Sequence, residues 1–258
     1  FEEYAEGGSR PGPLHLTIAD YAKWAWQSDS LQEKWPMVVT TNYDCEVERA
    51  MNGRQCDHGI LMPARNARCD KVWLYLKRTY KAHQRSERWS LVSNSQELLE
   101  RQIKEMRAVP IVVKLHGSSG YSLHEAGAHT NTRLDSWFLI SETDYLRAIS
   151  ETDPVLNAID EILRSEQRLV CFMGHSVSDW NVRVRLWQGR GASFANFPDG
   201  WLAVNRIADR FKVEVFRELR VSALRSQIKE VMEIVESRLR ELQDTAPLGS
   251  QRNAAGSS

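Results

Sequence analysis

A short apolar run near the beginning of the sequence stops abruptly at a group of polar side chains. The run covers residues 37–39, Met-Val-Val, and the residues after it include Thr40, Thr41, Asn42 and Asp44. Because the following segment predicts a helix, the junction is typical of the carboxyl end of a strand in an open α/β sheet, where such sheets bind ligands. The alternative is a plain strand-to-helix turn in which Thr41 or Asn42 caps the helix.

Three later apolar segments end in the same way. The segments 109–115, 169–173 and 200–205 predict strands. The residues that follow or close them are His116 and Gly117, then Gly174, Ser176 and Asp179, and finally Asn205. Glycine lets a backbone come close to a ligand, and polar residues at a helix start suit a nucleotide ribose or phosphate. A single histidine in such a place is as consistent with a structural role as with a catalytic one.

Charge and hydropathy exclude several classes of function. Lys plus Arg and Asp plus Glu both number 34, so the net charge of zero predicts no direct contact with nucleic acid. No apolar run reaches the roughly 20 residues that cross a bilayer, which predicts no membrane association. No signal-peptide pattern occurs, which favours a cytoplasmic protein. The four cysteines contain no C-x-x-C pair, so no metal site is expected.

The sequence predicts one large domain over residues 1–242. A flexible tail or linker is expected at 243–258, where small and polar residues dominate. Within the domain, 54–108 is expected to form an insertion or a helical layer, in which residues 72–76 are a candidate strand. Basic residues concentrate at 54–88, which is typical of a solvated surface first and of phosphate binding second.

Three further patterns concern local structure. Small and turn-prone residues at 120–133 predict a loop over the ligand crevice. Regularly spaced apolar residues at 222–242 predict a terminal helix that packs on the sheet, with a partner-binding helix as the alternative. Asp153 followed by Pro154 predicts a helix start, because aspartate caps a helix well and proline fits its first position.

The four polar strand ends together resemble a known family. In order they read T-T-N-Y-D, L-H-G, G-H-S-V-S-D-W and A-V-N, and over roughly residues 18–240 they resemble the sirtuin-like domain of bacterial anti-phage defence proteins. The resemblance implies an α/β fold with a Rossmann-like parallel sheet flanked by helices. It also implies that NAD binds across the carboxyl ends of the strands. From its own residues, the insertion at 54–108 is expected to be helical or irregular.

The resemblance also implies a role for each polar residue. Asn42 and His116 match the catalytic Asn and His of the family. Asp44 matches the carboxylate beside the nicotinamide amide, and Gly174 with Ser176 matches the turn at the adenosine ribose. The remaining cofactor-binding positions are Thr40, Thr41, Gly117, Asp179 and Asn205, the last of which matches the Asn on the adenosine side.

Two departures from the family pattern refine the prediction. Sirtuins that deacylate proteins carry a four-cysteine zinc module, and no such spacing occurs here, which favours plain NAD hydrolysis. The family also has a Gly-rich loop after its first strand, which residues 1–13 do not contain. We expect that strand and loop to precede Phe1 in the complete protein.

These inferences predict an NAD+ glycohydrolase that releases nicotinamide and ADP-ribose and depletes NAD as an anti-phage effector. NAD is its substrate, and no metal is expected. Because such an activity must be held off until it is triggered, we expect a homo-oligomer or a complex with a second defence protein. The alternative is a non-catalytic module that senses NAD or ADP-ribose and signals to a partner.

Overall fold

A computed structural model of the chain describes residues 10–28, 36–81, 84–139, 153–164, 171–173, 202–205 and 222–245. The helices in these ranges are α1 (Pro13–Gln27), α2 (Glu46–Gly53), α3 (Gln96–Met106), α4 (Leu123–Thr130), α5 (Pro154–Arg164) and α6 (Ile228–Thr245). The strands are β1 (Met37–Thr40), β2 (His58–Asn66), β3 (Lys71–Lys81), β4 (Gln84–Val92), β5 (Ile111–Lys114), β6 (Leu134–Ser136), β7 (Cys171–Met173), β8 (Leu202–Asn205) and β9 (Ser222–Arg225). Among these helices, none has the length and apolar character needed to cross a membrane.

The strands form two sheets. The larger sheet has the order β1–β5–β2–β3–β4, and β6 joins it by pairing with β2. Strands β1, β5 and β2 run parallel, whereas β3, β4 and β6 pair in antiparallel fashion. The smaller sheet, β7–β8–β9, is parallel. The predicted α/β class with a Rossmann-like arrangement is confirmed, with a sheet that is mixed and not wholly parallel.

Helices cover both faces of the larger sheet. Val112 points to the side of α1 and α2, where it packs with Ala22 and Met51. Its neighbours on β5, Ile111 and Val113, point to the other side and pack with residues of α3 and α5. Because both faces are buried, the parallel strands are continuous apolar runs and polar chemistry is left to the ends of the strands.

The expectation of a helical or irregular insertion at 54–108 is wrong for most of that segment. Residues 58–92 form the three antiparallel strands β2, β3 and β4, and α3 follows them. Residues 72–76, the candidate strand, do lie in β3, but β2 was missed because of burial. Seven consecutive residues of β2, 58–64, are buried, and they pack on both faces of the sheet. Burial on both faces removes the alternation by which a strand is usually recognised.

Two other local expectations are corrected. The segment 120–133 holds helix α4 where a loop was expected; Ala126 of this helix is fully buried against the larger sheet. The terminal helix begins at Ile228 and not at Ser222, because 222–225 pairs with β8 as strand β9. It continues to Thr245, past residue 242 at which the domain was expected to end.

The helix start predicted at Asp153 is confirmed, and it also fastens α5 to the sheet. The Asp153 carboxylate accepts hydrogen bonds from the amides of Val155 and Leu156 at 3.0 and 3.1 Å. It also accepts from Lys71 Nζ at 2.6 Å and Trp73 Nε1 at 2.9 Å, both on β3. Burial opposes ionisation of this carboxyl, but Lys71 and the hydrogen bonds outweigh it and hold its pKa below the usual range.

Candidate functional site

Parallel pairing brings two of the predicted polar strand ends together. Strands β1 and β5 are paired from Met37 and Ile111 through to Thr40 and Lys114. Asn42 and His116 each follow the last pair by two positions. The two residues therefore leave the same edge of the sheet from adjacent strands, at the carboxyl ends where open α/β sheets bind ligands. We call Asn42, Asp44 and His116 the strand-end site.

The turn after β1 is held by its own side chains. The Thr40 hydroxyl accepts a hydrogen bond from the backbone N–H of Asn42 at 3.1 Å, and Asp44 Oδ1 accepts one from the backbone N–H of Glu46 at 3.1 Å. The plain-turn alternative predicted that Thr41 or Asn42 would accept a hydrogen bond at the start of α2. In the structure, the Asp44 side chain accepts it. Asn42 and Asp44 are exposed and Thr41 is half-buried.

Tyr43 joins this turn to the turn after β5. Its ring lies 6.3 Å from the ring of His116, centroid to centroid, and 5.6 Å from that of Phe138 in an edge-to-face arrangement. Its hydroxyl donates to the carbonyl of Leu139, whose amide in turn donates to the His116 carbonyl at 3.2 Å. His116 is only 6% exposed in this setting.

The backbone of Tyr43 makes a second connection between the turns. Its carbonyl accepts from the Ser119 amide at 3.1 Å and lies 3.3 Å from the Ser118 hydroxyl. The turn that carries Asn42 is therefore tied to the turn that carries His116 by a packed ring and by shared hydrogen bonds.

Gly117 is required by the fold at this point. Its φ of +94° belongs to the left-handed region, and a Cβ there would come within 1.9 Å of the Trp137 carbonyl oxygen. The close approach that glycine permits is therefore to the chain's own backbone, where residues 137–139 return past His116.

A buried lysine lies beneath the strand-end site. Lys114, the last residue of β5, is 1% exposed, and its ammonium group donates to the carbonyl of Asp44. The same Nζ lies 3.4 Å from Oε1 of Glu48 on α2, whose side chain is also 1% exposed. Sequence reasoning missed this pair; the available signal was a lysine inside the apolar segment 109–115.

Four further cofactor positions were predicted at the ends of the later strands. Gly174, Ser176 and Asp179 lie outside the described residues. Asn205 closes β8 as predicted, with its backbone paired to that of Arg225 on β9. The structure therefore brings together the polar residues that follow β1 and β5. The adenosine-binding roles of Gly174, Ser176 and Asn205 stay predictions.

An open cavity of about 650 Å³ lies away from the strand-end site, between α4 and β6. Its lining includes the exposed side chains of His124, Arg133 and Asp135. Neither Asn42 nor His116 contributes to it. We place the candidate chemistry at the strand ends, because a buried imidazole held by its neighbours is a better general base than exposed side chains on a helix surface. Within the described ranges, no cluster of three His, Cys, Asp or Glu side chains could hold a metal ion.

Comparison with known proteins gives one match. A family model described as "SIR2-like domain" matches residues 36–219, which include every strand from β1 to β8 and both turns of the strand-end site. No curated protein matches the chain, and no solved structure matches it.

Replacing Gly117 by Ala should destabilise the protein by on the order of 3 kcal/mol, because the new Cβ meets the Trp137 carbonyl and the backbone is left-handed. The matched control is Gly53→Ala, at the end of α2, where a Cβ meets nothing within 4 Å. That change should be neutral or stabilise by about 0.5 kcal/mol. Urea unfolding of both variants measures the difference, and equal midpoints would contradict this geometry.

Replacing Lys114 by Met should cost about 3–5 kcal/mol, because Glu48 is then buried without a cation. The double variant Lys114→Met, Glu48→Leu should recover most of that loss, since an apolar pair of similar volume needs no charge compensation. Lys104→Met, on the exposed side of α3, is the control and should change the free energy of unfolding by less than about 0.5 kcal/mol. A double variant as unstable as Lys114→Met would show that the two side chains are not coupled.

Proposed function

The chain belongs to the SIR2-like domain family, and we propose that it is an NAD+ glycohydrolase, which cleaves the bond between nicotinamide and ribose. Family membership indicates an NAD-related activity. The observation that supports hydrolysis is the position of Asn42 and His116 at the ends of adjacent parallel strands, with Tyr43 packed against the His116 ring.

The chemistry needs few groups from the protein. The C1′–N bond breaks with its electron pair going to the pyridinium nitrogen, so nicotinamide leaves as a neutral molecule and no acid is needed for it. The ribose becomes oxocarbenium-like, and water attacks C1′. In the proposed mechanism Asn42 orients that water or a ribose hydroxyl, and His116 accepts the proton that is lost.

Asp44 and the buried surroundings have supporting roles. One oxygen of Asp44 accepts a hydrogen bond from the backbone N–H of Glu46. Because a carboxylate can accept several hydrogen bonds, Asp44 can also accept one from the NH2 group of the nicotinamide carboxamide. His116 is 6% exposed, so a substrate that covers it removes the remaining water from around the proton acceptor.

The biological role in the proposal is anti-phage defence by depletion of NAD. An activity of this kind harms its own cell and must be held off until infection, which favours control by a homo-oligomer or by a second defence protein. A cytoplasmic location follows from the substrate, because that is where the NAD pool of a bacterium lies.

Turnover of 1,N6-etheno-NAD, followed by fluorescence, tests the proposal. Asn42→Ala and His116→Ala should each lower kcat by about 10²- to 10⁴-fold, the range that a positioned proton acceptor contributes. The controls are Asn94→Ala and His129→Ala, which remove the same side chains at exposed positions outside the strand-end site.

Unchanged turnover in both site variants would rule out the assigned residues. Tight binding of NAD to the wild-type chain without release of nicotinamide would instead favour the sensing module, which shares the site but not the reaction.

A further inference from the structure

A third parallel strand ends at the same edge of the sheet and carries an arginine that none of the roles above includes. Strand β2 runs parallel to β5, and Leu61 pairs with Val113. Further along β2, Arg65 pairs with Asp135 of β6 on one side and with Lys71 of β3 on the other. Because the strand order is β1–β5–β2, Arg65 lies on the side of β5 that is opposite to Asn42.

Arg65 is stacked on a tryptophan that neighbours His116 in space. The guanidinium carbon lies 4.9 Å from the centre of the Trp137 ring. The carbonyl of the same tryptophan packs against Gly117, the residue that follows His116. The Arg65–Trp137 pair therefore borders the strand-end site.

Among the residues that the structure describes, two hydrogen-bond donors of this pair have no acceptor. Trp137 is 6% exposed, and its indole Nε1 is buried without a partner. The Nε of Arg65 is also buried without a partner. An unmade hydrogen bond costs about 1–3 kcal/mol per buried group, and more for a charged group. Stacking explains the position of the guanidinium, but it does not supply an acceptor for either N–H.

The described carboxylates nearest to Arg65 do not neutralise it. Asp153 is bound by Lys71, with Nζ and Oδ2 at 2.6 Å. Asp135, the cross-strand neighbour of Arg65, is exposed and forms no ion pair with it among the described residues. A cation and two unsatisfied donors therefore point to an anionic acceptor that the described residues do not supply.

We propose that Arg65 and Trp137 form a subsite for a phosphate group, on the β2 side of His116. Phosphate oxygens accept several hydrogen bonds at once, and arginine presents a fork of donors that matches them. The phosphate belongs either to the dinucleotide or to a separate phosphate-bearing molecule. The first source rests on the proposed function, whereas the second is independent of it.

Calorimetric titration with two probes, inorganic phosphate and ADP-ribose, tests the subsite. Arg65→Gln should weaken phosphate binding by about tenfold or more, as expected for a charge-assisted hydrogen bond. Trp137→Phe keeps the stacked ring but removes the N–H, and should weaken binding by about three- to tenfold. Arg68→Gln, in the exposed turn after β2, is the matched control and should bind like the wild-type chain.

The two sources give different results. If the phosphate is that of the dinucleotide, inorganic phosphate competes with ADP-ribose, and Arg65→Gln weakens both. If the phosphate belongs to another molecule, inorganic phosphate does not compete with ADP-ribose, and Arg65→Gln weakens the binding of inorganic phosphate alone. Equal affinities of wild type and Arg65→Gln for both probes, with equal thermal unfolding midpoints, would overturn the subsite.

The subsite and the proposed function fail separately. If Arg65→Gln loses phosphate binding while the wild-type chain binds phosphate but releases no nicotinamide from NAD, hydrolysis is ruled out and the subsite stands. If nicotinamide release is normal and Arg65→Gln binds phosphate and ADP-ribose as the wild type does, the subsite is ruled out and hydrolysis stands.

Discussion

The arrangement of the strand-end site depends on one buried contact, that of the Lys114 ammonium group with the carbonyl of Asp44. Lys114 ends one parallel strand, and Asp44 belongs to the turn that follows the neighbouring strand. With Glu48 at 3.4 Å as its counter-charge, the lysine lies in a region where solvent does not screen the interaction. A slip of β1 against β5 by one residue would separate Lys114 from Asp44 and displace Asn42 from His116.

This contact explains why an expensive buried charge is found at the end of a strand. Helices cover both faces of the sheet, so a ligand can reach only the ends of its strands. The turns at those ends have few apolar contacts of their own, and polar ties replace them. Tyr43 adds a packed ring against His116, and Gly117 lets residues 137–139 return close by. The chain thereby fixes the two turns that carry Asn42 and His116, although neither residue lies in a regular element.

Sequence reasoning reached the features whose signal is local. The T-T-N-Y-D and L-H-G junctions follow strands as predicted, and the cap at Asp153 begins a helix. Within 58–92 only residues 72–76 were recognised as a candidate strand, because burial on both faces hides the alternation by which the rest could be identified. Helix α4 was mistaken for a loop, since its glycine and small residues are turn-prone while its buried face is narrow.

The pairs that shape the site could not be read from the sequence for a different reason. Lys114 with Glu48, and Arg65 with Trp137, are far apart in the chain and meet only through the order of the strands. A lysine or an arginine beside an apolar run is a weak signal until the partner is known, because charged side chains near strand ends are common on any surface.

The most direct measurement of the central claim is a crystal structure of the His116→Ala variant with NAD, at concentrations where calorimetry shows the variant saturated. The account predicts that the nicotinamide ribose lies between the Asn42 amide and the position of the missing imidazole, with the carboxamide facing Asp44. Density for NAD in the open cavity between α4 and β6, with none at the ends of β1 and β5, would contradict it.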